Sequence, residues 1–254
     1  MKQSIWSQHY NVNTFLVNPQ KKLGLYGLLN LFQDTAWIHA THLGHGYESM
    51  IKEQTAWVLT RQKLRMEAWP KWGDDVEIIT WIRPINGLLA IRDFEVRSNG
   101  NKLGECTTQW LILDLKTRKP AEKSLKLSLD EFRPDCPPFI EAGKIQLSSN
   151  TKELAQFHVR NSDLDLNGHV NNTRYAQWIL DSVPHEKHTE FILREYEVNF
   201  IAETKSGDLI SILGTTLSDD SFQFQGQRNA DNKIVFAATL KVSAGQLAPS
   251  NILS

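Results

Sequence analysis

Two periodicities alternate along the chain. Between Gly24 and Met50, Leu28, Leu31, Phe32, Thr35, His39, His42 and Leu43 recur at three- and four-residue spacing, which puts them on one face of a helix. Gly44 and Gly46 close that pattern. The period then drops to two. Val58, Thr60, Gln62, Leu64 and Met66 alternate with Trp57, Leu59, Arg61, Lys63 and Arg65, which predicts a strand with one set on each face. Strand-like runs follow at 76–82, 90–97 and 103–115, punctuated by the turn dipeptides Asn86-Gly87 and Asn99-Gly100. Periodicity fades between Pro120 and Asn150, where Pro134, Pro137 and Pro138 give a linker composition. The same order then returns. Residues 170–181 read as a helix, with Tyr175, Trp178 and Ile179 on one face and Pro184 closing it, and strand-like runs recur at 194–202, 209–213, 222–227 and 234–242.

The return can be tested by superposition, as internal repeats should be. At an offset of 134, Lys71-Trp72-Gly73-Asp74 falls on Lys205-Ser206-Gly207-Asp208, a shared K-x-G-D at the same place in each strand order. Three matched residues alone are weak support, and the matching order of elements strengthens them. The expectation is a duplicated α+β unit in which each helix lies against an antiparallel sheet, with domains at 1–130 and 153–254 and a linker at 131–152.

Composition narrows the function classes. A chain of 254 residues with 41% hydrophobic positions suffices for one large or two modest domains. Lys+Arg at 28 against Asp+Glu at 29 leaves a net charge of -1, which argues against a globally basic nucleic-acid binder and against an acidic disordered chain. A charged partner would have to meet a local patch. The two cysteines, Cys106 and Cys136, supply neither a disulfide framework nor a zinc cluster, in keeping with a reducing compartment. The first ten residues lack the apolar run of a signal peptide, and no later stretch has the length of a membrane span, so the expected location is the cytoplasm.

One segment differs from the rest. Arg160 to Asn172 packs Asp163, Asp165, Asn161, Asn167, Asn171, Asn172 and His169 into a loop that feeds the second helix. Read plainly, it is a capped loop, since Asp and Asn favour turns and N-caps and Gly168 permits a tight bend. Read chemically, a helix start offers backbone N–H groups and the positive end of a dipole beside Asp165, Asn167 and His169. An imidazole titrating near neutrality and a carboxylate able to act as base or nucleophile are parts for acyl or proton transfer. At an offset of 147, Asn167 falls on Gln20 and His169 on Lys22, so the first copy lacks the set.

The run S-D-L-D-L-N-G-H-V-N-N-T-R-Y-x-x-W-I resembles the signature of acyl-acyl carrier protein thioesterases. Trp69-Pro70-Lys71-Trp72-Gly73-Asp74, the stretch from Asn86-Gly87 to Arg92-Asp93-Phe94, and Thr108 to Lys119 are similar to further family segments, so the resemblance covers nearly the whole chain. It implies a tandem (double) hotdog fold, two antiparallel sheets each wrapping a long helix, with no cofactor and no metal. It also implies that Asp165, Asn167 and His169 are catalytic together with Glu203, a glutamate on the strand after the helix. The next position, often cysteine in plant members, is Thr204. In the repeat Glu203 falls on Trp69.

The implied activity is hydrolysis of fatty acyl-carrier thioesters to free fatty acid and holo-carrier. Backbone N–H groups near His169 and Val170 would polarise the carbonyl, and Glu203 or Asp165 would act as base or attack directly. The alternatives are an acyl-CoA thioesterase, an (R)-specific enoyl hydratase, and a non-catalytic carrier- or lipid-binding hotdog protein. Against the hydratase, Asp165-x-Asn167-Gly168-His169 is one residue shorter than that family's motif and lacks its proline. His39, His42 and His45 invite a metal, but His39 and His42 continue the apolar helix face and no Cys or carboxylate spacing accompanies them, so they are expected to be buried polar members of the helix. Arg61, Lys63 and Arg65 form a basic stripe, with Lys21 and Lys22 nearby in sequence. By default such a stripe is a solvated sheet face, and an acidic acyl carrier protein could also dock on it. The chain carries its own pair of hotdog units, so monomer and homodimer are both open.

Overall fold

The computed structural model describes residues 3–83, 88–121, 132–133, 139–245 and 252–253. Asn86-Gly87, the three linker prolines and Cys136 lie outside them. The chain divides into two units, Met1–Ala142 and Gly143–Ser254.

The first unit holds β1 (Ile5–Asn11), α1 (Leu25–His42), α2 (Tyr47–Lys52), β2 (Thr55–Met66), β3 (Asp75–Ile82), β4 (Leu89–Ser98) and β5 (Asn101–Asp114). Its strands are antiparallel in the order β1-β3-β4-β5-β2. Helix α1 runs on from Gly24 and ends where Gly44 takes φ 87°, and Gly46 then precedes the separate short helix α2. The predicted apolar stripe is the buried one: Leu28, Leu31, Phe32, Thr35 and His39 face the sheet, and the Phe32 and Phe94 rings lie 4.7 Å apart. His42, expected to be buried beside them, is exposed and lies against the Trp6 ring.

In β2 the alternation holds from Arg61 to Met66, with Gln62, Leu64 and Met66 buried. It slips where the pairing with β5 shifts between Leu59 and Arg61. The bulge at Thr60 changes the phase, so Leu59 is buried rather than Val58. Asn99 and Gly100, both at positive φ, turn β4 into β5 as the dipeptide predicts.

The second unit holds β6 (Lys152–His158), α3 (Asn172–Asp181), β7 (Phe191–Phe200), β8 (Leu209–Ser218), β9 (Ser221–Arg228) and β10 (Lys233–Ala244). Its order is β6-β8-β9-β10-β7, again antiparallel throughout. Numbered from the first strand of each unit, both sheets read 1-3-4-5-2, and each carries its main helix between the first and second strands. This is the α+β hotdog arrangement, present twice. The face of α3 buries Tyr175, Ala176, Trp178 and Ile179, and the Tyr175 ring packs edge-on against Phe200 and Phe236.

The joining segment is extended and held by side chains. In the first unit Arg83 forks onto the buried Asp93 carboxylate at 2.6 and 3.0 Å and also reaches Glu141 and the Ile140 carbonyl. In the second, Asn199 donates to the Gly143 carbonyl (2.9 Å) and accepts from the Ile145 N–H (2.8 Å), while Gln223 does the same for Gln146 and Ser148. These carboxamides lie on outward positions of strands, where an uncovered sheet would be satisfied by water. Among the described residues no helix is long and apolar enough to cross a membrane.

Candidate active site

The loop before α3 is built on one side-chain turn. Asp165 Oδ1 accepts the backbone N–H groups of Asn167 (2.8 Å) and His169 (3.2 Å), the Asp165 N–H donates to the His169 carbonyl (2.8 Å), and Gly168 sits at φ 73°. A left-handed residue between Asn167 and His169 is what glycine tolerates best. Asn171 then caps α3, its Oδ1 accepting the Thr173 N–H at 3.0 Å.

The first unit forms the same turn from other residues. Asn18 Oδ1 accepts the N–H groups of Gln20 and Lys22, both at 3.1 Å, the Asn18 N–H donates to the Lys22 carbonyl (2.8 Å), and Lys21 takes φ 57° in the place of Gly168. The K-x-G-D turns match as closely. Asp74 and Asp208 accept the N–H of Lys71 and Lys205 at 2.8 and 2.9 Å, and Gly73 and Gly207 take φ 88° and 86°. Gly73 bonds to the Val12 carbonyl as Gly207 bonds to that of Val159. What the two copies share is therefore structural, and what differs is the chemistry mounted on it.

In the second unit the differing positions converge. His169 pairs backbone-to-backbone with Lys205, and its Nε2 lies 3.4 Å from Glu203 Oε2. The two side chains keep 28% and 39% of their surface exposed, so the pair opens to solvent and to anything arriving from it. Glu203 lies beyond the end of β7 rather than within a strand, where Ile201 and Ala202 both donate to the Val235 carbonyl. Asn167 is exposed on the same loop, two residues from His169.

One expectation needs correction. The backbone N–H groups of His169 and Val170 do not face a substrate: the first is bonded to Asp165 Oδ1, and the second donates to the Thr204 carbonyl at 2.9 Å. The Asn171 N–H is likewise taken by the Asp163 carbonyl at 2.8 Å. These three N–H groups are therefore already used within the protein. Thr204 is fully buried and its hydroxyl meets the Tyr175 hydroxyl at 2.8 Å, so it braces α3 against the Glu203 segment and is not presented as a nucleophile. Burial pushes the Tyr175 phenol up to about 12, so this contact is between neutral hydroxyls at ordinary pH.

The remaining features lie outside the His169–Glu203 pair. His39 is fully buried. Its Nδ1 meets the Arg92 guanidinium at 2.9 Å and its Nε2 the Gln3 carbonyl at 2.8 Å, which makes it a neutral imidazole that donates through Nε2. Burial, with Arg92 adding to it, lowers its pKa to about 4. Among the described residues no group of three or more His, Cys, Asp or Glu is placed to hold a metal ion. Arg61, Lys63 and Arg65 are half-buried on one side of β2, with Arg65 3.7 Å from Glu105, which also accepts from Lys102. Tyr175, Thr204 and Arg228, whose Nη1 donates to the Glu203 carbonyl at 2.9 Å, were not marked by sequence pattern as site residues. The available signal was indirect: Arg228 ends a strand just before the turn-forming 229–232.

Comparison with known proteins bears on both units. The acyl-ACP thioesterase N-terminal domain matches residues 3–124, and the acyl-ACP thioesterase C-terminal domain matches 147–248. Oleoyl-acyl carrier protein thioesterase 1, chloroplastic, from Arabidopsis thaliana is 27% identical over 234 residues, 84% of this chain and 64% of that protein. Dodecanoyl-[acyl-carrier-protein] hydrolase, chloroplastic, from Umbellularia californica is 28% identical over 237 residues, 85% of this chain and 60% of that protein. The chain thus spans less than two thirds of the length of these curated relatives. Among solved structures, an acyl-ACP thioesterase from Bacteroides thetaiotaomicron superposes with a TM-score of 0.87 at 27% identity, over 94% of this chain and 98% of the other. The 12:0-ACP thioesterase from Umbellularia californica superposes at 0.80 and 21% identity, over 96% and 99%, and shares the fold.

Proposed function

Because the chain belongs to the acyl-ACP thioesterase family, matched by both of its domains, we propose that it hydrolyses fatty acyl-carrier protein thioesters to free fatty acid and holo-carrier. The observation that carries this reading is the His169–Glu203 pair at 3.4 Å, beside Asn167 on a rigid turn and open to solvent. The first unit keeps the turn and has lost the pair.

In this reading the thioester carbonyl is polarised by the Asn167 carboxamide and the His169 imidazole, because the N–H groups of His169, Val170 and Asn171 are already used. Glu203 takes a proton from a water molecule, whose oxygen attacks the carbonyl carbon. The tetrahedral intermediate then collapses, the C–S bond breaks, and the departing sulfur of the carrier's prosthetic arm leaves as a thiol with the proton relayed through the Glu203–His169 pair. Asp165, whose Oδ1 holds the turn, keeps Asn167 and His169 in place.

The basic stripe of Arg61, Lys63 and Arg65 supports docking of an acidic carrier by charge complementarity. The experiment is thiol release from the same acyl chain presented on acyl carrier protein and on coenzyme A, across a series of chain lengths. The carrier-bound form is expected to turn over faster, and His169→Ala and Glu203→Gln to lose roughly 10²- to 10³-fold in kcat. Parental rates in either variant would remove the assignment. A coenzyme A preference would move the reading to an acyl-CoA thioesterase.

A further inference from the structure

Arg228 closes β9, and three anchors fix its guanidinium. Asp231 takes it in a fork, at 3.0 Å to Nε and 2.8 Å to Nη2, and Asp208 of the K-x-G-D turn lies 3.6 Å from Nη1. The same Nη1 donates to the backbone carbonyl of Glu203 at 2.9 Å. The carbonyl of the next residue, Thr204, is held by the Val170 N–H, and the Thr204 hydroxyl meets Tyr175. The short segment carrying Glu203 is thus gripped from α3 on one side and from the β9–β10 hairpin on the other.

The first unit shows which of these grips the fold requires. There the Leu23 N–H bonds to the Pro70 carbonyl at 2.8 Å, as Val170 bonds to Thr204, and the K-x-G-D turn closes with the same bonds. The position corresponding to Arg228 is read from sheet register. Arg228 pairs with Ile210, whose counterpart is Val76, and carrying the β3–β4 register one step beyond the Glu77–Arg97 pair brings Ser98 opposite Val76. Ser98 bonds instead to the Asp75 carbonyl at 2.8 Å. Trp69 occupies the place of Glu203. One copy has both the arginine and the glutamate, the other has neither, and the turn between them forms in both.

We propose that Arg228, clamped by Asp231, is a positioning residue that holds the Glu203 segment so that the carboxylate stays within reach of the His169 imidazole. It acts through Glu203 and touches no reacting atom. This rests on the thioesterase reading above. A reacting group displaced by about 1 Å can lose up to 10²-fold in rate, which sets the scale of the effect.

The test is a double-mutant cycle on full-length protein, with kcat and KM measured for the parent, Arg228→Gln, Arg228→Lys, Asp231→Asn, Glu203→Gln and Glu203→Gln/Arg228→Gln. Arg228→Gln is expected to lower kcat by about 10- to 100-fold with KM within about twofold and thermal stability little changed. Arg228→Lys should recover part of that loss, and Asp231→Asn should reproduce part of it. In the Glu203→Gln background the arginine should cost less than about twofold, because its effect runs through the missing carboxylate. Parental kcat in Arg228→Gln, or an equal loss in both backgrounds, would overturn the proposal while leaving thioester hydrolysis intact. Failure of both Arg228→Gln and Arg228→Lys to fold would assign the arginine to the scaffold and overturn it as well. A parent enzyme that releases no thiol would remove the thioesterase reading, and this inference with it.

Discussion

Asn18 and Asp165 do the same work in the two units: each side-chain oxygen accepts the backbone N–H groups two and four residues ahead, at 2.8 to 3.2 Å. A carboxamide suffices in one copy where a carboxylate serves in the other. The negative charge of Asp165 is therefore not what closes the loop.

Asp165→Asn should accordingly keep both hydrogen bonds, hold the melting temperature within about 2 °C and retain kcat within about tenfold. Asp165→Ala removes both, with an expected loss of about 1–3 kcal/mol and a far larger fall in turnover, because Asn167 and His169 ride on the turn. Thermal unfolding and steady-state kinetics of the two variants check this. If Asp165→Asn fell as far as Glu203→Gln, the charge of Asp165 would belong to the chemistry.

His39 makes the first unit sensitive to acid. Its folded pKa of about 4 lies below the ordinary value of 6.5, so the unfolded chain binds its proton more readily between those limits. Stability is then complete above about pH 6.5 and is lost as pH falls toward 4, by about 3 kcal/mol from this one group. Denaturant unfolding at pH 7 and pH 4.5 should show a smaller drop in His39→Asn, which keeps an acceptor for Arg92 and has nothing to protonate. Equal drops in parent and variant would place the acid sensitivity elsewhere.

The joining segment should loosen when its carboxamide supports go. Asn199→Ala strands the Gly143 carbonyl and the Ile145 N–H, at about 1–3 kcal/mol. Hydrogen exchange followed by mass spectrometry should then show faster labelling over 143–148, with the strands of the first unit unchanged. Uniform acceleration across the chain would count against a local role.

Cys106 is fully buried beside Gln62, and burial pushes its thiol pKa up. A native Cys136→Ser variant should show no rapid reaction with a thiol reagent at pH 8 and one equivalent after unfolding. Fast native reaction would mean that the strand pair opens around Gln62.

Much of this architecture was legible because its signals are periodic. Helix α1 follows its stripe from Leu28 to His39, the β4–β5 turn follows Asn99-Gly100, and the repeat is visible in K-x-G-D. Strands β1 and β6 were missed, since each lies at the end of its unit's pairing order and carries no buried apolar run: β1 alternates only between exposed and half-buried. The slip at Thr60 was not legible either, because one extra residue in a strand leaves composition untouched. In the site, residue types marked the loop, but partners did not. Nothing local in the sequence says that the His169 and Val170 N–H groups are already spoken for by Asp165 and Thr204, or that Arg228 reaches the Glu203 carbonyl from a strand 25 residues away.

Two separate copies of a single unit paired as a homodimer would carry every substitution twice, so losing a histidine at one centre would mean losing it at both. Covalent fusion removes that constraint. Lys22 can replace the imidazole and Trp69 the carboxylate in one half while His169 and Glu203 stay in the other, from a single gene. The joining segment therefore does more than connect: it lets the two copies of one sequence pattern diverge independently within a single chain.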